Sequence, residues 1–290
     1  MKSHFYHAND NLKLHYLAWP HKPTGNTESC CVLVHGFTND AHIYDGLAIE
    51  LQQSMDVFAL DFRGHGDSDW DDEEKYNHEQ LLEDLAIFLQ QLPHKNIHII
   101  GHSLGARVAM LLIARTDFTA ATFTIIDTGP EVRAVGVEKV RKDAQNTPTE
   151  FASVTAFKDY LSAIYLFAKP EKIQAMAENG LKLVNGKLRP KTDPAFTAAL
   201  WKADPKQPEG STLRAPLNDE LWQSLATIPS PTLILKGQAS AILSKATAEK
   251  MAYEVMRKAQ LNIIRRAGHA IMVDNPDEFE QTVCAFIRQH

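Results

Sequence analysis

The sequence predicts an α/β fold: a doubly wound, mostly parallel sheet with an inserted helical cap. Three observations point there. Short, near-continuous apolar runs recur at 30–34, 57–60, 97–100, 122–126, 233–235 and 261–264, as expected of parallel strands covered on both faces. Helical patterns fall between these runs, and strands alternating with helices build parallel sheets. The alternation lapses between Gly129 and about Asn218. That stretch carries helical patterns without strand runs, broken by Pro148, Pro170, Pro190, Pro194, Pro205, Pro208 and Pro216.

Taken in order, residues 12–18 alternate with period two and suit a half-exposed strand near a sheet edge. The clearest helix spans 78–92, where Leu81, Leu85, Phe88 and Leu92 recur at three- and four-residue steps and Asn77 with Gln80 supplies a capping pair. Another starts at Asn275-Pro276-Asp277-Glu278, with a cap, a first-turn proline and acids at the positive helix end. The expected division is a core domain of residues 1–128 and 219–290 and a cap of 129–218. Within the cap, Phe157, Tyr160, Leu161, Ile164 and Tyr165 form an apolar face at helical spacing, which serves either to pack the cap on the core or to line a substrate pocket.

Composition excludes several function classes. Of 290 residues 44% are hydrophobic, enough for a sizeable core, and 30 Lys+Arg against 36 Asp+Glu leave a net charge of −6. No basic face is on offer to neutralise phosphates, so nucleic acid is not an expected partner. The longest apolar run, 108–114, is far short of the roughly 20 residues a membrane-crossing helix needs. The N-terminal residues reach Asp10 before an apolar signal region builds, so a cytoplasmic protein is expected. Cys30, Cys31 and Cys284 are an odd count without CxxC spacing and read as buried thiols.

The chemistry is carried first by Gly101-His102-Ser103-Leu104-Gly105, a G-x-S-x-G between a strand run and the helical run that begins at Ala106. With 14 Gly and 12 Ser in the chain, chance supplies such a pattern about 0.03 times, and the strand-turn-helix context makes it rarer still. A serine in this turn is strained, and a side chain at either glycine collides with the adjoining strand and helix. The hydroxyl is thereby lifted to the positive end of a helix, where an attacking alkoxide is favoured.

On these residues the sequence resembles the α/β-hydrolase fold family. Val32-Leu33-Val34-His35-Gly36-Phe37 is similar to the family's strand and turn that supply half of the oxyanion hole, which implies the backbone N–H groups of Phe37 and Leu104 as donors. His35 then reads as structural, and Asp61-Phe62-Arg63-Gly64-His65-Gly66-Asp67-Ser68 as the family's glycine-rich scaffold loop. Gly268-His269-Ala270, after the last strand run and before the Asn275 helix start, matches the family's base loop, so His269 is the expected general base. The order serine then histidine is the one these enzymes use.

The acid departs from the pattern. Residues 237–244, Gly237-Gln238-Ala239-Ser240-Ala241-Ile242-Leu243-Ser244, resemble the loop that carries the family's catalytic aspartate, but Ala241 stands in its place. Three explanations stand open. Asp127, at the end of the 122–126 strand run, takes over the role; or the alanine is an introduced replacement that disables turnover; or the protein works as a Ser103–His269 dyad or only binds a ligand. Asp219 and Glu131 are weaker candidates, since neither ends a strand.

A serine at the elbow favours acyl transfer to water from esters, lactones or thioesters, or cleavage of activated carbon–carbon bonds. The expectation is a carboxylesterase-like hydrolase of a small-molecule apolar ester or related acyl compound, with a small or medium apolar acyl or alcohol group, and with a carbon–carbon hydrolase or a weakly catalytic ligand-binding or sensor protein as alternatives. No cofactor is expected. No metal is expected either, because there is no H-E-x-x-H and His94 and His98 straddle a loop-to-strand entry after Pro93. The cap aromatics Tyr160, Tyr165, Phe167, Phe196 and Trp201 point to an apolar substrate group. Oligomeric state is not legible.

Overall fold

The computed structural model describes residues 1–21, 28–201 and 215–290. Strands β1 (Lys2–His7) and β2 (Lys13–Trp19) pair as an antiparallel hairpin. Then follow β3 (Ser29–Val34), α1 (Asp45–Leu51), β4 (Asp56–Leu60), α2 (His78–Gln91), β5 (Asn96–His102), α3 (Leu104–Arg115) and β6 (Thr122–Ile126). An insertion holds α4 (Ala134–Gln145), α5 (Val154–Ile164), α6 (Pro170–Asn179), the hairpin β7 (Leu181–Val184) and β8 (Lys187–Pro190), and α7 (Pro194–Trp201). The described chain ends with α8 (Ala215–Thr227), β9 (Thr232–Gly237), α9 (Lys245–Lys250), β10 (Ala259–Ile264), α10 (Ile271–Asp274) and α11 (Pro276–Ile287).

Eight strands form one sheet in the order β1-β2-β4-β3-β5-β6-β9-β10, and only β2 runs against the others. The strand order turns around between β3 and β5, which opens a crevice beyond their carboxyl ends. Both faces of the sheet are covered. Along β3, Cys30, Val32 and Val34 enter a core shared with α2, α3 and α8, while Cys31 and Leu33 enter a second core shared with α1 and α11. This is why β3, β6 and β9 are buried along their whole length and read as near-continuous apolar runs. All three cysteines are buried free thiols.

Helix starts follow the expected chemistry with one difference. Asn77 accepts from the Gln80 N–H at 3.0 Å, but the Gln80 side chain turns to Glu83, so the cap is one-sided. At α11, Asn275 accepts from the Glu278 N–H and Pro276 occupies the first turn.

Three expectations about strands change. The alternating segment becomes β2, which lies one strand in from the edge and is mostly buried, Leu14 entering the first core and Leu17 and Trp19 the second. The last run becomes β10, an edge strand with Asn262 and Ile263 exposed, so it is not covered on both faces. The insertion, read as helical throughout, contains β7–β8, a two-stranded antiparallel hairpin. Pro205 and Pro208 and the side chain of Trp201 lie outside the described residues.

Candidate active site

Ser103 stands between the last residue of β5 and the first of α3 with φ 49° and ψ −113°, a left-handed conformation that costs a non-glycine residue roughly 1–3 kcal/mol. The flanking glycines make the turn possible. A Cβ on Gly101 would lie 2.6 Å from the backbone of Ala106, and one on Gly105 would lie 2.4 Å from the Val34 carbonyl oxygen. Helix and strand thus approach too closely for any side chain, as the sequence reasoning requires.

His269 lies on the loop between β10 and α10. Its Nδ1 is 2.8 Å from Asp127 Oδ2 and its Nε2 is 3.1 Å from Ser103 Oγ. An ionised carboxylate only accepts, so Nδ1 carries the proton, and in the neutral ring Nε2 is left to accept from the Ser103 hydroxyl. The structure therefore brings Ser103, His269 and Asp127 into one hydrogen-bonded line. Asp127 follows β6, has φ 48° and is fully buried.

Several groups hold this line that the sequence reading did not single out. The Gly237 N–H donates to Asp127 Oδ1 at 2.9 Å, and the Ser240 hydroxyl donates to Asp127 Oδ2 at 2.5 Å. The 238–244 segment is in turn fastened to the base loop, since the Ala239 N–H donates to the Ala267 carbonyl at 2.8 Å. His102 donates from Nε2 to the His269 carbonyl at 3.0 Å. Burial first, then neighbouring His269, holds the His102 pKa well below its usual value, so the ring is neutral. Asp274 accepts from the Gly268 N–H at 2.7 Å, and burial pushes its carboxyl up to about 6 against the pull of that bond. The signal for His102 was its place inside the motif; Ser240 and Asp274 carried none beyond being next to Ala241 and just after His269.

Phe37 and Leu104 line the same cavity as Ser103 and His269. Leu104 is the first residue of α3, and the first intrahelical bond is closed only by the Arg107 N–H to the Ser103 carbonyl, so the Leu104 N–H precedes the helical ladder. The turn carrying Phe37 lies against Ser103: a Cβ on Gly36 would be 3.1 Å from the Ser103 Cβ. His35 is fully buried, donating from Nδ1 to the Gly36 carbonyl and accepting at Nε2 from the Phe62 N–H. Glu131 accepts from Trp222, and neither it nor Asp219 joins the His269 line among the contacts of the described residues.

The cavity has a volume of about 1030 Å³ and is walled by the sheet's carboxyl ends and by the insertion, with Val137, Val140, Phe157, Leu161, Ile164 and Ile242 among its apolar lining. Tyr160, Tyr165 and Phe167 line it as well. Phe196 does not; it is buried in the core beneath, stacked on Phe37 and set edge-on to His65.

One cluster among the described residues has metal-ligand character: His15, Asp61 and Asp67. It does not line the cavity, and its atoms are engaged within the protein. His15 Nδ1 donates to Asp61 Oδ2 at 2.6 Å, and Asp61 also accepts from the N–H groups of Ala41 and Asp67. His94 pairs with Asp56 and His98 with Thr122.

A doubly wound sheet that presents a strained serine to a histidine beyond its carboxyl ends defines a hydrolase of the α/β class. The chain belongs to the alpha/beta hydrolase family, whose profile matches residues 31–282. It is 25% identical over 253 residues to the 2-(acetamidomethylene)succinate hydrolase of Mesorhizobium japonicum, covering 87% of this chain and 86% of that one. It is 20% identical over 258 residues to the esterase Rv0045c of Mycobacterium tuberculosis, covering 87% and 80%. An alpha/beta hydrolase from Novosphingobium aromaticivorans superposes with a TM-score of 0.80 at 24% identity, covering 100% of this chain and 98% of that one. Among the described residues no helix is long and apolar enough to cross a membrane.

Proposed function

We propose that this hydrolase cleaves a carboxylic ester, or a lactone or thioester, through an acyl-enzyme on Ser103. The observation that carries this reading is the unbroken line Ser103 Oγ, His269, Asp127 opening on the cavity. Ser103 attacks the carbonyl carbon while His269 Nε2 takes its proton, and Asp127 holds the ring in the required tautomer and favours the imidazolium that forms. The Phe37 and Leu104 N–H groups stabilise the oxyanion; one such donor is typically worth about 3–4 kcal/mol. The intermediate collapses, the alcohol leaves with the proton from His269, and water repeats the sequence to release the acid. With Asp127 in this role, Ala241 leaves no vacancy beside His269 Nδ1.

The described part of the 129–218 stretch acts as a cap over the site. A cavity of about 1030 Å³ lies at the upper end of the roughly 300–1,000 Å³ usual for small-molecule sites, and its apolar cap wall favours an apolar acyl group. The name of the mycobacterial relative, an esterase, agrees with this reading.

The test is covalent labelling with steady-state kinetics. A fluorophosphonate is expected to modify Ser103, and p-nitrophenyl esters to give a burst of product; Ser103→Ala abolishes both. From acetate to octanoate, kcat/KM is expected to rise about fourfold per methylene, corresponding to about 0.8 kcal/mol of burial each. A flat chain-length series removes the apolar-acyl assignment while leaving the serine chemistry intact. Absence of both label and burst removes the hydrolase mechanism itself.

A further inference from the structure

The segment after β9 has no acid at 241, yet it grips the acid that β6 supplies. Ser240 is 6% exposed, and its Oγ accepts from the N–H groups of Ile242 at 3.0 Å and Leu243 at 3.2 Å. A serine hydroxyl has two acceptor lone pairs and one proton. Both lone pairs are thus occupied by backbone that cannot rotate, and the proton has one direction left, toward Asp127 Oδ2. A hydroxyl that ordinarily turns to suit its surroundings is here a fixed donor.

We propose that Ser240 is a positioning residue for proton transfer, fixing the orientation of Asp127 toward His269; this rests on the assignment of Ser103, His269 and Asp127 above. The orientation follows from the count of donors. Gly237 N–H holds Oδ1, Ser240 takes one lone pair of Oδ2, and the remaining lone pair of Oδ2 meets His269 Nδ1. The carboxylate can neither flip nor swing without breaking a buried hydrogen bond.

Asp127 is fully buried, and the two donors Gly237 and Ser240 meet its two oxygens beside His269. Nothing is contributed by residue 241, whose methyl group carries no donor or acceptor.

The sign of the effect on pH dependence is fixed. Removing the Ser240 hydroxyl takes a donor from the oxygen that meets His269 Nδ1, so that oxygen holds the imidazolium proton more tightly and the acidic limb of kcat/KM moves to higher pH. A side chain that merely filled space would not move it.

The experiment compares wild type with Ser240→Ala and Ser240→Thr on a p-nitrophenyl ester across pH 4–9, alongside Asp127→Asn. Ser240→Ala is expected to lower kcat about 10- to 100-fold, the scale of one charge-assisted hydrogen bond, with KM within about twofold. Its acidic limb moves upward, and Ser240→Thr restores both. The downfield resonance of the His269 Nδ1 proton shifts in the alanine variant. Should that variant fail to fold, Ser240→Thr against Ser240→Cys, a weaker donor, carries the same comparison. An unmoved acidic limb in every folded Ser240 variant, or full activity in Ser240→Ala, overturns the proposal. If Asp127→Asn is harmless, the acid assignment fails and this inference with it; if Asp127→Asn is crippling while Ser240→Ala is silent, only the role of Ser240 is lost.

Discussion

Two loops at the carboxyl edge of the sheet make opposite demands on the sequence. The turn between β5 and α3 is dictated by contact: backbone passes within 2.6 Å of where a side chain on Gly101 would begin and within 2.4 Å for Gly105, so those positions admit little besides glycine. The segment between β9 and α9 is dictated by charge placement. The proposed mechanism needs a carboxylate at His269 Nδ1, and Asp127, which follows β6, the neighbour of β9 in the sheet, lies 2.8 Å from it. Sterics fix a residue type at a chain position, whereas electrostatics fixes only a point in space that adjacent strand ends can reach. Hence the elbow is legible as a motif, while the acid can move to a different strand.

The sharpest way to break this contrast is to remove the carboxylate that the second loop holds. Asp127→Asn keeps the shape but presents an amide that His269 can meet in the wrong tautomer. We expect kcat to fall about 10⁴-fold, roughly 5.4 kcal/mol, with fluorophosphonate labelling slowed in parallel. A loss below about tenfold would show that the alignment with His269 is incidental.

A smaller effect is expected from restoring the residue type that the family resemblance places in the loop. Ala241 is half-buried and lines the cavity. A second carboxylate there faces the buried Asp127, and like charges at one site compete for a proton. Ala241→Asp in the otherwise unchanged chain is therefore expected to lower kcat about three- to tenfold near neutral pH. A gain of orders of magnitude would mean that the site had been disabled at 241, and Asp127 would lose its role.

The same distinction explains what could be read of the fold. Strands β3, β5, β6 and β9 sit between two cores, so their sequences are forced to be apolar and their places were legible to within a few residues. Strand β1 buries only Tyr6; its role is to cover the edge of β2, which polar residues do as well. The β7–β8 hairpin did leave a signal in Asn185-Gly186, both with positive φ between paired strands, the dipeptide that two-residue hairpin turns favour. Its short, half-exposed strands and Pro190 hid it within a proline-broken stretch. In the site, Ser103 and His269 were legible because a sterically forced turn and a loop after the last strand mark them. The role proposed for Asp127 is one of three alternatives in the sequence because chain position does not specify which strand end supplies charge. Ser240 acts through a hydrogen bond to a residue distant in sequence, and Asp274 through a loop contact to the Gly268 N–H that follows no helical or strand period, so neither leaves a local pattern.

The mildest prediction concerns the other acid beside the base loop and runs opposite to that for Ser240. Asp274 is 9% exposed, and burial raises its carboxyl to about 6, above the roughly 3.9 of an unfolded aspartate. Between those values the folded chain binds more protons than the unfolded one, so this group costs stability as pH rises from about 4 to 6, and the cost persists above. Asp274→Asn keeps an oxygen for the Gly268 N–H and removes the buried charge. We expect it to raise the melting temperature at pH 7–8 by about 2–6 °C, for a gain of about 1–2 kcal/mol, with the difference fading by about pH 4. Above pH 6 the ionised Asp274 also favours the protonated form of neighbouring His269, so its removal moves the acidic limb of kcat/KM downward, where loss of the Ser240 hydroxyl moves it upward. Thermal melts across pH and the two limb shifts, measured on one ester, check both signs; shifts in the same direction would show that the two loops do not act on His269 through charge.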